Sequence, residues 1–270
     1  MKYVKKFGGW KMRLTTILVL SFLLSACSGV DTPVENESIE GQEQVENPQD
    51  QDEEVEELSE EEKMIQSLPE EANLEDWNLV LVNPWEALPE GFELDLVEVN
   101  NDQRIAQMVE QAWNRWKEAA LDAGHRLFLA SGHRTIERQE NNFNNQFQEY
   151  LNEGLTEEEA RECTMEYLTE PGHSEHHTGL ALDIVDEEWI VAGNGLTPEY
   201  DTQESQQWMV DTMADFGFIL RYPESKEDVT GIQYESWHFR YVGEENAQFI
   251  IEHDLVLEEY IELLQLREEK

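Results

Sequence analysis

Two short stretches hold most of the side chains that could do chemistry. Ser174–Asp183 reads SEHHTGLALD and sets His176, His177 and Asp183 in a run that otherwise has the look of a strand. Glu235–Gly243 reads ESWHFRYVG and brings Glu235 within three residues of His238. A hydrolytic zinc site needs three nitrogen or oxygen ligands and one position left open for water. Of the seven histidines, His176 and His238 are the two set at strand edges beside small or aromatic residues. His176 and Asp183 stand seven apart, outside the reach of i, i+3 and i, i+4 helical neighbours, so a turn through Gly179 has to bring them together. On spacing alone that pair fits a metal site and a satisfied polar core alike. The second stretch shifts the balance, because Glu235 and His238 let one segment supply both a ligand and a carboxylate near a metal-activated water.

The elements that must position these residues are mixed. NLVLV (Asn78–Val82) and RLFLA (Arg126–Ala130) read as strands, and Gln103–Ala123 has helical spacing. Thr156 and Glu159 form a capping box that opens another helix. LALDI, FILRY and WHFRY add three short strands, with a helix over Glu204–Phe216 between the first two. The expected fold class is α+β, a small, largely antiparallel sheet flanked by helices. The folded region is expected over 67–270.

Four motifs together carry a resemblance. SGHRTIERQ, PGHSEHHTGLALDI, GFILRYP and ESWHFRYVG occur in the order and spacing of the VanY-like D-alanyl-D-alanine carboxypeptidases, zinc peptidases acting on peptidoglycan stems. LVLVNPWEALPEGFELDLVEV also resembles the segment that opens their catalytic domain. The resemblance implies a zinc D,D-peptidase fold, one zinc per chain, His176, Asp183 and His238 as ligands, and Glu235 as catalytic base. It implies Arg134 facing the scissile carbonyl and Gln139 touching the substrate. Ser174 is placed at the substrate's terminal carboxylate or in a turn, and Trp237 in the wall of the site. Where the family usually has Tyr, Gln and Pro, this chain has His133, His177 and Ser236, and it has His173 where Tyr is frequent. His133 and His177 are expected to flank the peptide site, with the side chains of His173 and His177 exposed.

The implied reaction is removal of the terminal D-alanine of stem pentapeptides. An L,D-carboxypeptidase acting on tetrapeptides would use the same site. A catalytically dead wall-binding module is disfavoured by the presence of every ligand and of Glu235. Ser-x-x-Lys, the pairing a serine-type carboxypeptidase would use, occurs nowhere in the chain.

The rest of the chain speaks of place. Lys2, Lys5, Lys6, Lys11 and Arg13 precede an uncharged, largely apolar run from Leu14 to Ala26, the layout of a secretory signal over 1–26. That run is too short to span a bilayer, which takes about 20 residues. It ends in LSAC, which resembles the bacterial lipobox and implies lipidation of Cys27 and an extracytoplasmic, membrane-anchored protein. An ordinary cleaved signal is the alternative. Residues 28–66 carry 15 acidic residues against one lysine and no aromatic, so 27–66 is expected to be a disordered acidic tether. Cys163 sits in a helical-looking run and is expected to be a partly buried small residue, with no disulfide. A net charge of −43 makes nucleic acid and anionic lipid surfaces unfavourable partners. The partners expected are stem peptides and, through the anchor alone, the membrane, with the protein a monomer.

Overall fold

The computed structural model describes residues 58–100 and 102–270. The signal-like run, Cys27 and the tether up to residue 57 lie outside the described residues. In chain order the regular elements are α1 (Glu60–Ser67), β1 (Leu96–Asn100), β2 (Gln103–Ala106), α2 (Glu110–Asp122), β3 (Leu127–Ser131), α3 (Ile136–Asn152) and α4 (Glu157–Met165). There follow β4 (Ala181–Asp186), α5 (Glu187–Val191), α6 (Glu204–Thr212), β5 (Phe218–Leu220), α7 (Glu227–Thr230), β6 (His238–Tyr241), α8 (Glu244–Glu252) and α9 (Leu257–Glu268). The fold is α+β, as the sequence implied. An antiparallel sheet in the order β3-β4-β6-β5 forms its centre, and β1 and β2 make a separate hairpin.

Alternation divides the sheet's two faces between packing and chemistry. Leu127, Leu129, Leu182, Ile184, Phe218 and Phe239 join one apolar cluster with Trp113 and Trp116 of α2 and Met209 of α6. Trp116 anchors it, stacked on Phe218 at 4.9 Å and edge-on to Phe239 at 5.2 Å, with its indole N–H donated to Thr212. The opposite face carries Ser131, Asp183, His238 and Arg240. Register places Ser131 opposite Asp183 and Asp183 opposite His238, so three strands set three polar side chains in one row. A second cluster, built from Ile219, Val242, α8 and α9 with Ile65 and Leu68, closes the other end.

Three segments differ from the sequence expectation. Gln103–Ala106 is β2, paired with β1, and the helix of that region begins only at Glu110. Asn78–Val82 joins no sheet: its Leu79 and Val82 are buried, but the carbonyls of Asn78 and Val80 accept from Nη2 of Arg240 at 3.1 and 2.8 Å in place of a strand partner. The end of the acidic stretch forms α1, started by the Ser59–Glu62 capping box and held by burial of Ile65. The capping box at Thr156, the three later strands and the helical run from Glu204 occur where they were expected. Cys163 lies on α4, half-buried.

Gly179 links the fold to the chemistry. It ends the 3-10 turn Glu175–Thr178 at φ 74° and turns the chain into β4. A Cβ there would lie 2.9 Å from the Ala106 nitrogen, which itself donates to the Gly179 carbonyl at 2.9 Å. Gly179→Ala is expected to cost more than about 1 kcal/mol in denaturant unfolding, from the strained φ and the clash together.

Candidate metal centre

The turn and the sheet converge on one point. His176 sits in the 3-10 turn, Asp183 in β4 and His238 at the start of β6, and the three offer ligand atoms within 4.8 Å of one another, all buried. Nε2 of His176 lies 3.2 Å from Oδ2 of Asp183, and Nδ1 of His238 lies 3.2 Å from Oδ1 of the same carboxylate. Ligands about 2.0–2.1 Å from a tetrahedral zinc stand about 3.3 Å apart, so these separations suit that ion. Oδ1 of Asp183 is buried without a hydrogen-bond partner among the described residues, as expected of an atom aimed at a cation. Two imidazoles and one carboxylate, with a cavity on the fourth side, match a catalytic rather than a structural zinc site.

Each ligand is oriented from behind. Nδ1 of His176 donates to the Gly132 carbonyl at 2.8 Å, which leaves Nε2 free to coordinate. His238 turns its Nε2 toward Oε2 of Glu175, 3.4 Å away. Glu235 reaches Nδ1 of His238 at 3.3 Å, and the His238 amide donates to the Glu235 carbonyl, closing the turn that lets residues three apart face one point.

The charges fit the same reading. Burial holds the His176 imidazole down to about 4, against the pull of Asp183, so it is neutral and ready to ligate at pH 7. Burial also acts against charge on His238, but the carboxylates of Asp183, Glu175 and Glu235 beside its ring push it well above the ordinary histidine range. The two rings differ because the second nitrogen of His176 meets a neutral carbonyl while His238 is ringed by three carboxylates. A divalent cation at the ligand atoms would stand in place of that proton. Burial raises the Glu235 carboxyl above its usual range, with His238 pulling the other way.

A cavity of about 240 Å³ opens on this cluster, and Arg134, Gln139, Ser174, Tyr222, Glu235 and Trp237 line it. Arg134 follows β3, where the bulge at Ser131 turns the chain. Its guanidinium donates to Gln139 Oε1 at 2.7 Å and to Ser131 Oγ at 3.3 Å, and it stands 3.7 Å from Asp183. Its Nε is buried without a partner among the described residues.

A VanY family model, described as D-alanyl-D-alanine carboxypeptidase, matches residues 102–244, more than half of the chain. This protein belongs to the VanY family. A D-alanyl-D-alanine carboxypeptidase of Enterococcus faecalis (strain ATCC 700802 / V583) is 33% identical over 201 residues, covering 74% of this chain and 72% of its own. Among solved structures, a VanB-type vancomycin-resistance D,D-pentapeptidase VanY variant in complex with Zn(II) aligns with a TM-score of 0.62 at 34% identity, over 69% of this chain and 99% of that one. VanYB in complex with D-alanine-D-alanine gives a TM-score of 0.62 at 34% identity, over 69% and 98%. The LdcB LD-carboxypeptidase gives 0.59 at 34% identity, over 70% and 87%. Zinc is therefore the cofactor of this VanY-family chain, and His176, Asp183 and His238, whose ligand atoms converge, are the residues that could hold it.

The structure gathers Arg134, Gln139, Ser174, Glu235 and Trp237 around that centre. Two of them differ in detail from expectation. Gln139 lines the cavity, but its amide is engaged on both sides, accepting from Arg134 and donating to the Thr169 carbonyl at 2.7 Å, so it also steadies the arginine. Trp237 is wall and core at once, 6% exposed. The histidine expectations need correction. His177 is buried, its Nδ1 donating to the Arg134 carbonyl at 2.7 Å and its Nε2 accepting from the Gly172 amide at 3.1 Å. His173 is half-buried against the Asn83 carbonyl. His133 and His177 line a separate cavity with Phe92 and Ile136, and Arg134 lines both that cavity and the one at the zinc cluster. Sequence reasoning missed Glu175 and Tyr222, whose ring packs 4.7 Å from that of His238. Both lie inside motifs already singled out, but a spacing argument gives no sign of which way a side chain points.

The zinc-free protein is expected to take up one zinc per chain in a chelator-competition titration. His176→Ala and His238→Ala should each abolish stoichiometric binding, and Glu235→Ala should retain it.

Proposed function

We propose that this protein hydrolyses the terminal D-alanine from the stem peptides of peptidoglycan, as a zinc D-alanyl-D-alanine carboxypeptidase. The observation that carries the reading is the convergence of a buried His/Asp/His cluster, a carboxylate with raised proton affinity and a buried arginine on one cavity. Relatives at 33–34% identity support the substrate: one is named for this activity and another binds D-alanine-D-alanine.

Zinc, when bound, supplies the positive charge that acidifies a water to a pKa near 7 and polarises the scissile carbonyl. Glu235 accepts the water's proton as attack begins. Its raised proton affinity suits both that step and the return of the proton to the leaving amine. Arg134 stays charged and, fixed by Gln139 and Ser131, brings its guanidinium to the cavity wall as the partner of the developing oxyanion. Ser174, at the head of the 3-10 turn and on the cavity wall, either meets the substrate's terminal carboxylate or shapes the turn. Trp237 and Tyr222 shape the pocket for a small side chain.

The location is part of the proposal. The basic start, the short apolar run and LSAC support a lipidated Cys27 and an extracytoplasmic enzyme tethered to the membrane by its acidic segment. No described helix is long and apolar enough to cross a membrane. One chain supplies every ligand, the base and the arginine, which supports action as a monomer.

Purified protein should release D-alanine from pentapeptide stems, detected by mass, and lose this with chelator; release from tetrapeptides alone would instead identify an L,D-carboxypeptidase. Glu235→Ala should keep zinc and lower kcat by about 10²–10⁴-fold. Arg134→Ala should keep zinc and lower kcat by about 10²–10³-fold, the loss of one oxyanion donor. Cys27→Ala should move the protein from the membrane fraction to the soluble one; continued tight membrane association would sink the lipobox reading.

A further inference from the structure

Behind His238 lies a chain of buried charges that the hydrolysis itself does not use. Glu175 is fully buried, and its Oε1 accepts from Nε of Arg221 at 2.8 Å and from Nη1 of Arg240 at 2.5 Å. Burial alone would push the Glu175 carboxyl up, but the two guanidinium groups hold it well below the usual carboxylate range. Its other oxygen, Oε2, and Nε2 of His238 are both buried without a hydrogen-bond partner among the described residues, and they face each other at 3.4 Å. Arg221 in turn carries a two-armed contact to Glu258 at the start of α9, with Nη1 at 2.8 Å and Nη2 at 2.6 Å from its two oxygens. Glu258 is also held by Nδ2 of Asn83 at 3.1 Å. Two arginines and two glutamates balance, so the line from α9 to the zinc ligand runs through matched charge with no excess. α9 lies beyond residues 102–244, the part of the chain that the family model matches.

We propose that Glu175 and Glu258 are positioning residues for the zinc ligand His238: α9, by clamping Arg221 through Glu258, fixes the Glu175 carboxylate that holds the imidazole by its Nε2 and aims its Nδ1 at the metal. The proposal rests on the zinc site described above. A ring N–H tied to a carboxylate is fixed in tautomer and orientation and made a better donor to the metal. Arg221 cannot act as a loose surface charge, because its side chain is inaccessible and both carboxylates hold it in a planar fork. The C-terminal helix thus does more than cover apolar surface.

The test uses the whole chain and reads metal binding and spectra, so it stands or falls separately from peptidase activity. Glu258 is only partly buried, and Glu258→Gln keeps a hydrogen-bond acceptor while removing the charge. This variant is expected to raise the zinc Kd about 10- to 100-fold. In a ¹H–¹⁵N spectrum of the zinc-loaded protein tuned to ring nitrogens, wild type should show a slowly exchanging His238 Nε2–H signal, displaced or lost in Glu258→Gln. Leu263→Ala, which removes core volume from α9 without touching the charges, controls for stability and should lower Tm while leaving the zinc Kd unchanged. A Glu258→Gln protein with wild-type zinc affinity and an unmoved ring signal overturns the proposal, as does equal weakening by Leu263→Ala. Should Glu258→Gln not fold, the wild-type spectrum decides: no His238 Nε2–H signal means no Glu175 contact.

Discussion

A single carboxylate, that of Asp183, sets the terms for the structure around it. It is almost completely buried, and an ionised carboxylate taken out of water is costly unless charges and donors close on it from several sides. They do: His176, His238 and Arg134 all approach it within 3.7 Å. Those partners come from a turn, a neighbouring strand and the loop after β3, so the carboxylate can be satisfied only if the sheet register, the Gly179 turn and the Ser131 bulge are all correct together. The same requirement that stabilises the fold therefore assembles the reactive groups. One oxygen left without a partner marks where a cation belongs.

Division of labour between the two sheet faces makes this arrangement tolerable. Apolar side chains of β3 to β6 pack on the tryptophans of α2, and that cluster supplies the burial that offsets the cost of a polar row on the opposite face. The row is protected in turn by a second set of charges. Arg240 reaches from β6 to the carbonyls of the Asn78–Val82 segment, and Arg221 reaches from the end of β5 to α9, with Glu175 between them. Removing one member would leave uncompensated buried charge, a larger loss than any of the pairs contributes on its own. The chain before the hairpin and the C-terminal helix are both bound to the metal centre by these contacts.

Much of the chemistry was legible because side-chain type limits it. Few residues can ligate zinc, accept a proton near neutrality or hold a fixed positive charge, and the family resemblance carried by SEHHTGLALD, ESWHFRYVG and SGHR implied roles for residues that the fold does bring together. Local signals with short reach also read correctly: the Thr156 capping box, the Gly179 turn and the alternating runs at β3 and β4 depend on interactions within a few residues. Where long-range partners decide, the reading went astray. Asn78–Val82 has the composition of a strand, but its carbonyls go to an arginine 160 residues away; Gln103–Ala106 has part of a helical pattern, but β1 takes it as a strand partner.

The sequence by itself determined the cast of candidates, through the motifs that carry the family resemblance: three ligands, a base and an arginine, in an acidic chain with enough apolar residues for a core. Only the tertiary structure decided the geometry and the supporting roles. It set which imidazole nitrogen faces the metal position, turned Glu175 inward to meet His238, engaged both sides of the Gln139 amide, and buried His177 against the Arg134 carbonyl. The physical reason is that residue type fixes what a side chain can do at a distance of one bond or one ion contact. Which partner it meets depends on strand register and helix docking between segments far apart in the chain, and no local pattern encodes that.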